Sequence, residues 1–187
     1  MNFLWDNFFR KEKQDTMSTV LKQNILFQDL SAAELRFLER CVHVRNYAPL
    51  EPIFHQGEVG VGLYLILSGR VEISVRESGL NGETTQREIF VTQLLPGDFF
   101  GELALVDASE RRSASAISRD STSVIGFFKP DLQEILDRRP VMGTKILLRL
   151  AEVLGKRLTE TTEKVTELRA ALRDVSEPPP QRRSENP

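Results

Sequence analysis

Leu63-Tyr-Leu-Ile-Leu-Ser-Gly-Arg-Val-Glu-Ile-Ser-Val75 contains the pattern that decides the fold. Two runs of aliphatic, aromatic and β-branched residues, Leu63 to Leu67 and Val71 to Val75, flank Gly69, which enters turn conformations that a side chain would strain. The same texture extends outward through Val42 to Tyr47, Pro52 to His55, Glu88 to Leu95, Ala114 to Ser118 and Val124 to Phe128. Glycines punctuate these runs, and Asn81-Gly82 marks a hairpin loop. Many short strands with turns at this spacing predict an antiparallel sandwich, barrel or jelly roll.

Helical signals bracket the strands. Ser31-Ala-Ala-Glu34 has the spacing of a reciprocal capping box, and Leu35, Leu38 and Cys41 follow at helical intervals, which predicts a helix over Ser31 to Cys41. Asp131 to Arg138 reads as a short helix that ends before Pro140. From Val141 a long helix is expected. Its residues Leu147, Leu154, Thr161 and Leu168 fall seven apart and alternate with Ala151, Leu158, Val165 and Leu172, a coiled-coil seam whose one polar member is Thr161. Leu147 to Leu172 would span roughly 39 Å at about 1.5 Å per residue, which exceeds what one small domain covers. A parallel homodimer is the economical expectation, because an uncovered apolar stripe of that length promotes aggregation. The domain plan is an N-terminal extension (1–25), a β-rich domain (26–139), a dimerisation helix (140–175) and a polar, Pro-rich disordered tail (176–187).

With 187 residues, 40% hydrophobic, 28% charged and a net charge of −2, the chain reads as one soluble domain with appendages and as no general polyanion binder. Cys41 is the single cysteine, which suits a reducing, cytoplasmic setting. With only His43 and His55 beside it, no metal site is expected. No Ser-His-Asp or Cys-His arrangement is visible, so an enzyme is not expected. Phe3, Leu4, Trp5, Phe8 and Phe9, followed by Arg10, Lys11 and Lys13, suit weak contact with a membrane surface or a partner. Packing on the domain or across a dimer is the preferred reading of these aromatics.

The chemistry is concentrated between Leu95 and Ala116. Gly101 lets the backbone approach a ligand, and Glu102-Leu103-Ala104-Leu105 can open a helical turn whose first amides point at an anion. Arg112, on the lip of the following strand, offers a guanidinium fork to phosphate oxygens. A carboxylate beside a phosphate is unfavourable unless it accepts from hydroxyls, so Glu102 suits a sugar diol. Phosphate plus ribose implies a nucleotide. Arg111 is read as solvent-facing.

Gly101-Glu-Leu-Ala-Leu105 with Arg112-Ser113-Ala114 resembles the phosphate-binding cassette of the cyclic-nucleotide-binding domains. Phe54-His-Gln-Gly-Glu58, Leu63-Tyr-Leu-Ile66 and Gly69-Arg-Val-Glu-Ile73 are similar to the roll strands before that cassette in the bacterial catabolite-activator branch, and Arg157-Leu158 with Thr161-Thr-Glu-Lys-Val165 resembles its dimer helix. The resemblance covers about Leu26 to Val175. It implies an antiparallel β-roll of jelly-roll type, mainly β with α, flanked by an N-terminal helix, a short helix and the long C-terminal dimerisation helix. It also implies that Glu102 binds the ribose 2′-hydroxyl, that Arg112 and Ser113 bind the cyclic phosphate, that Thr161 and Thr162 contact the base, and that Arg157 faces Glu102.

A threonine hydroxyl can accept from adenine's amine or donate to guanine's carbonyl, so chemistry alone does not choose the base. Resemblance favours cyclic AMP, with cyclic GMP second. Val175 leads into Pro178-Pro-Pro180 rather than into the family's DNA-reading element, so no DNA binding by this chain alone is expected, and signalling would pass to an unidentified effector protein. The residues before Arg111, Asp107-Ala-Ser-Glu110, lack the glycine often found there. The competing reading is a roll that has lost its ligand and serves as a dimeric interaction module.

Overall fold

The computed structural model describes residues 17–77, 87–106 and 111–176. In chain order these form β1 (His43–Tyr47), β2 (Pro52–Phe54), β3 (Gly62–Ser68), β4 (Val71–Glu77), β5 (Arg87–Leu94), β6 (Phe99–Phe100), β7 (Ser115–Ser118) and β8 (Thr122–Phe128), with helices α1 (Ala32–Cys41), α2 (Lys129–Arg138) and α3 (Pro140–Ser176). A single 3₁₀ turn, Glu102–Leu105, follows β6, and residues 17–23 are helical ahead of α1. The strands build two four-stranded sheets, ordered β1-β8-β3-β6 and β2-β7-β4-β5, with antiparallel neighbours throughout. This is an antiparallel β-roll.

The alternation of β3 accounts for the layering. Tyr64 and Ile66 join Tyr47, Phe54, Val71, Phe100, Ala116 and Val124, drawn from both sheets, in one buried cluster. Leu63 and Leu65, which point to the opposite face, are also buried. They lie across from Phe127 and Ile125 of β8, and Phe127 meets Phe27 edge-on at 5.9 Å. One face of this sheet therefore lines the roll's interior, and the other is roofed by the segment before α1. Gly69 makes the β3–β4 connection at φ 85°, where an added Cβ would stand 2.5 Å from the Thr122 hydroxyl oxygen.

The α1 capping box forms as its spacing predicts. Ser31 N–H donates to Glu34 Oε2 at 2.7 Å, and Glu34 N–H donates to Ser31 Oγ at 3.3 Å. The Glu34 carboxylate has a second partner, because Lys145 Nζ donates to both its oxygens at 3.0 and 2.8 Å. Arg149 likewise holds Asp29 with two bonds, at 2.6 and 3.0 Å. Phe128 N–H donates to Asp131 Oδ2 at 2.8 Å, and that bond caps α2.

β6 has no counterpart in the sequence reading, and α2 starts two residues earlier than expected. The chain clusters into two compact units divided between Arg149 and Leu150. In the first, Met142 and Ile146 of α3 are buried. In the second, α3 leaves Leu158, Leu168 and Leu172 exposed, at 68, 55 and 66% of their surface. Among the described residues no helix is long and apolar enough to cross a membrane. The aromatic residues 3–9, the Asn81-Gly82 loop, residues 107–110 and the tail after Ser176 lie outside the described residues.

Candidate functional site

Two returning segments are sewn together beside the cassette. Gly57 N–H donates to the Arg112 carbonyl and Arg112 N–H to the Glu58 carbonyl, both at 2.8 Å. Gln56 N–H donates to Ser115 Oγ at 3.0 Å, and Val59 bridges Arg111. In such paired, extended backbone successive side chains alternate between faces. Arg112 therefore turns inward, while Arg111 and Ser113 are exposed and Ala114 is partly buried. The exposed Arg111 also has a structural bond, from Nη1 to the Gly57 carbonyl at 2.8 Å.

Arg112 retains only 6% of its exposure. Instead of standing on the strand's lip, its guanidinium carbon sits 4.0 Å from the centre of the Phe54 ring and 5.6 Å from that of Tyr64. Nη1 donates to the Gly101 carbonyl at 3.0 Å, and the buried Nε has no hydrogen-bond partner. Burial pushes the guanidinium below its ordinary pKa, while Tyr64, Glu102 and Glu58 act in the opposite sense. An arginine retains its proton through such shifts. The result is a buried cation with an N–H donor unspent.

The turn opposite is shaped by Gly101 at φ 76°, a left-handed conformation that favours glycine. An added Cβ there would stand 2.5 Å from Arg112 Nη1. Glu102, Ala104 and Leu105 of the 3₁₀ turn are buried, Leu103 is exposed, and the turn packs on β3. Gly60 closes the arrangement from the other strand, since a Cβ on it would lie 2.8 Å from Ala104 Cβ and 3.0 Å from Arg112 Nε.

The structure thus gathers Gly101, Glu102, Ala104 and Arg112 in one place, and adds Phe54, Gly60 and Tyr64, which the sequence reading did not assign to the site. Phe54 and Tyr64 lay inside the quoted roll strands, but nothing local distinguishes them from core residues. An unsatisfied buried donor calls for a partner, and an anionic oxygen suits a guanidinium edge. These residues fit a phosphate-bearing ligand. A groove of about 370 Å³ lined by Val59, Gly60, Val61, Lys129, Pro130 and Gln133 shares only Gly60 with them and contains no arginine or carboxylate.

Arg157, Thr161 and Thr162 belong to the second unit. There Thr161 Oγ1 donates to the Arg157 carbonyl at 2.7 Å and Thr162 Oγ1 to the Leu158 carbonyl at 2.8 Å. Both side chains are exposed. With the hydroxyl protons committed to the helix backbone, the oxygens keep their capacity to accept.

Known proteins resemble this chain in sequence and in fold. The cyclic AMP receptor protein of Thermus thermophilus is 34% identical over 140 residues, which cover 75% of this chain and 60% of that protein. The cAMP-activated global transcriptional regulator of Salmonella typhimurium is 30% identical over the same coverage of each. The crystal structure of the Thermus thermophilus catabolite activator protein superposes with a TM-score of 0.65 at 31% identity, covering 78% of this chain and 63% of that one. The chain therefore spans about 60% of the length of the curated relatives it matches. The model of the cyclic nucleotide-binding domain family matches residues 44–139, a span that contains both sheets except His43, the 3₁₀ turn and Arg112, and the chain belongs to that family.

Proposed function

We propose that this chain is a cyclic-AMP receptor that senses nucleotide in the roll and passes the signal to a partner protein through α3. The observation that carries the reading is Arg112, a buried guanidinium with an unpartnered Nε beside Gly101 and the Glu102 turn. Relatives whose names include cyclic AMP support the choice of ligand. In this reading Arg112 and Ser113 hold the cyclic phosphate, the amides at Gly101 to Ala104 line it beside Ala114, and Glu102 accepts from the ribose 2′-hydroxyl. Arg157 steadies Glu102, and Thr161 and Thr162 read the base. The exposed leucines of α3 are covered by the same helix of a second copy, which makes the receptor a homodimer, and an effector protein receives the output.

The test is calorimetric titration of the full chain with cyclic AMP and cyclic GMP, alongside Arg112→Ala. Cyclic AMP should bind at micromolar or better affinity. Removing one side of a buried charge pair costs about 2–5 kcal/mol, so Arg112→Ala should bind roughly 30-fold to several thousand-fold more weakly. Heat from neither nucleotide would leave a ligand-independent dimeric interaction module as the function. Equal affinity in Arg112→Ala would remove Arg112 from the site.

A further inference from the structure

The surroundings of Arg112 point to a role for residues outside the cassette. Bringing a guanidinium out of water is unfavourable unless something replaces its hydration. A carboxylate is the usual solution, but it would occupy the donors that an incoming phosphate needs. Here the guanidinium carbon lies over the Phe54 ring, 4.0 Å from its centre, with the Tyr64 ring centre at 5.6 Å. An aromatic face stabilises a cation through its quadrupole and takes no N–H group. Part of the fork therefore stays available. One donor is used on Gly101, the Tyr64 side chain takes another, and Nε remains unpaired.

The rings are fixed from behind. Phe54, Tyr64 and Phe100 meet pairwise with centroids 5.6 to 6.0 Å apart, and all three are buried in the inter-sheet core. Each comes from a different strand, β2, β3 or β6. The cluster supports the guanidinium from the core side, close to Gly60 and Gly101.

We infer that Phe54, backed by Tyr64, is a positioning residue for the phosphate: its π face seats Arg112 as a charged anchor whose Nε donor is unspent, and the electron density of that ring sets nucleotide affinity. The inference rests on the cyclic-AMP reading above. It makes Phe54 a determinant of affinity without placing it in contact with ligand.

The experiment replaces Phe54 site-specifically with phenylalanine carrying one, two or three fluorines, which withdraw density from the ring face with little change in volume. Each full-length variant and Phe54→Leu is titrated with cyclic AMP, and Phe54→Tyr is included as the conservative rescue. The dissociation constant should rise stepwise with fluorine number to about tenfold at three, and Phe54→Leu should show at least that loss, as expected for a desolvated cation–π contact. Phe54→Tyr should bind as the unsubstituted chain does. A role in packing alone would leave the fluorine series flat, and a flat series in a chain that binds cyclic AMP overturns the seat while the functional reading stands. Failure of the unsubstituted chain to bind cyclic AMP overturns the functional reading and the anchor role together.

Discussion

The Gly101 carbonyl accepts from Arg112 Nη1 at 3.0 Å, while the hydrogen on Gly101 leaves open the space that a Cβ would take 2.5 Å from the same nitrogen. The cassette's turn and its arginine are thus fitted to each other. Gly101→Ala should displace the guanidinium and also strain a residue at φ 76° by about 1–2 kcal/mol. The expected outcome is a loss of cyclic-AMP affinity of at least tenfold, with a melting temperature lowered by only a few degrees. Titration and thermal unfolding of the variant check both. Full affinity would mean that the arginine adapts freely.

The α3 seam yields a prediction about assembly. Leu158 and Leu168 are exposed in the single chain, so a charge at either is tolerated by a monomer and repelled by a dimer. Leu158→Glu with Leu168→Glu should sediment as a monomer at concentrations where the unsubstituted chain sediments as a dimer. A monomeric unsubstituted chain at tens of micromolar would refute the homodimer.

Base reading is the third. Thr161 and Thr162 already donate to carbonyls of their own helix, so each hydroxyl oxygen faces outward chiefly as an acceptor. That polarity suits adenine's amine better than guanine's carbonyl. Thr161→Ala and Thr162→Ala should each weaken cyclic AMP by about 0.5–1.5 kcal/mol and narrow its advantage over cyclic GMP, leaving the roll's unfolding unchanged. If neither the affinity nor the ratio moves, α3 does not read the base.

A fourth concerns acid stability. Lys145, with the Ser31 N–H second, lowers the Glu34 carboxyl from its ordinary 4.5 to about 2. A carboxyl depressed in the folded state contributes stability above its ordinary value, and the contribution is lost as pH falls from about 4.5 toward 2. Lys145 keeps a third of its surface, and screening limits the pair to about 0.5–1 kcal/mol. Lys145→Met should therefore lower the melting temperature by about 2–4 °C at pH 7 and by much less at pH 2. An equal difference at both would assign the effect to packing.

Much of the roll was legible because its signals are local. The runs Leu63 to Leu67 and Val71 to Val75 around Gly69 became β3 and β4, and Ser31 with Glu34 closed the box that their spacing predicts. β6 escaped because Phe99 and Phe100, wedged between Asp98 and Gly101, are too few to show alternation. The cassette's residues were visible as a motif, but the setting of Arg112 was not. Whether an arginine lies on a lip or on a ring depends on which distant strand runs beside it, and the pairing of residues 56–59 with 111–115 has no local signature. The second partner of Glu34 is hidden for the same reason, since it lies 111 residues along the chain.

The strand order β1-β8-β3-β6 has a consequence for how the chain reaches this state. β8 lies between β1 and β3, and among the described strands it is the neighbour of β1, so His43 to Tyr47 must wait for a pairing partner that begins at Thr122. On the ribosome, at about 5–20 residues per second, β1 emerges several seconds before β8 can slot in. Contacts of such high sequence separation slow the search, which places folding of this domain in the range of about milliseconds to seconds. Until β8 arrives, Leu63 to Leu67 stands with one strand edge unpaired, and that interval is when a nascent chain is most exposed to aggregation.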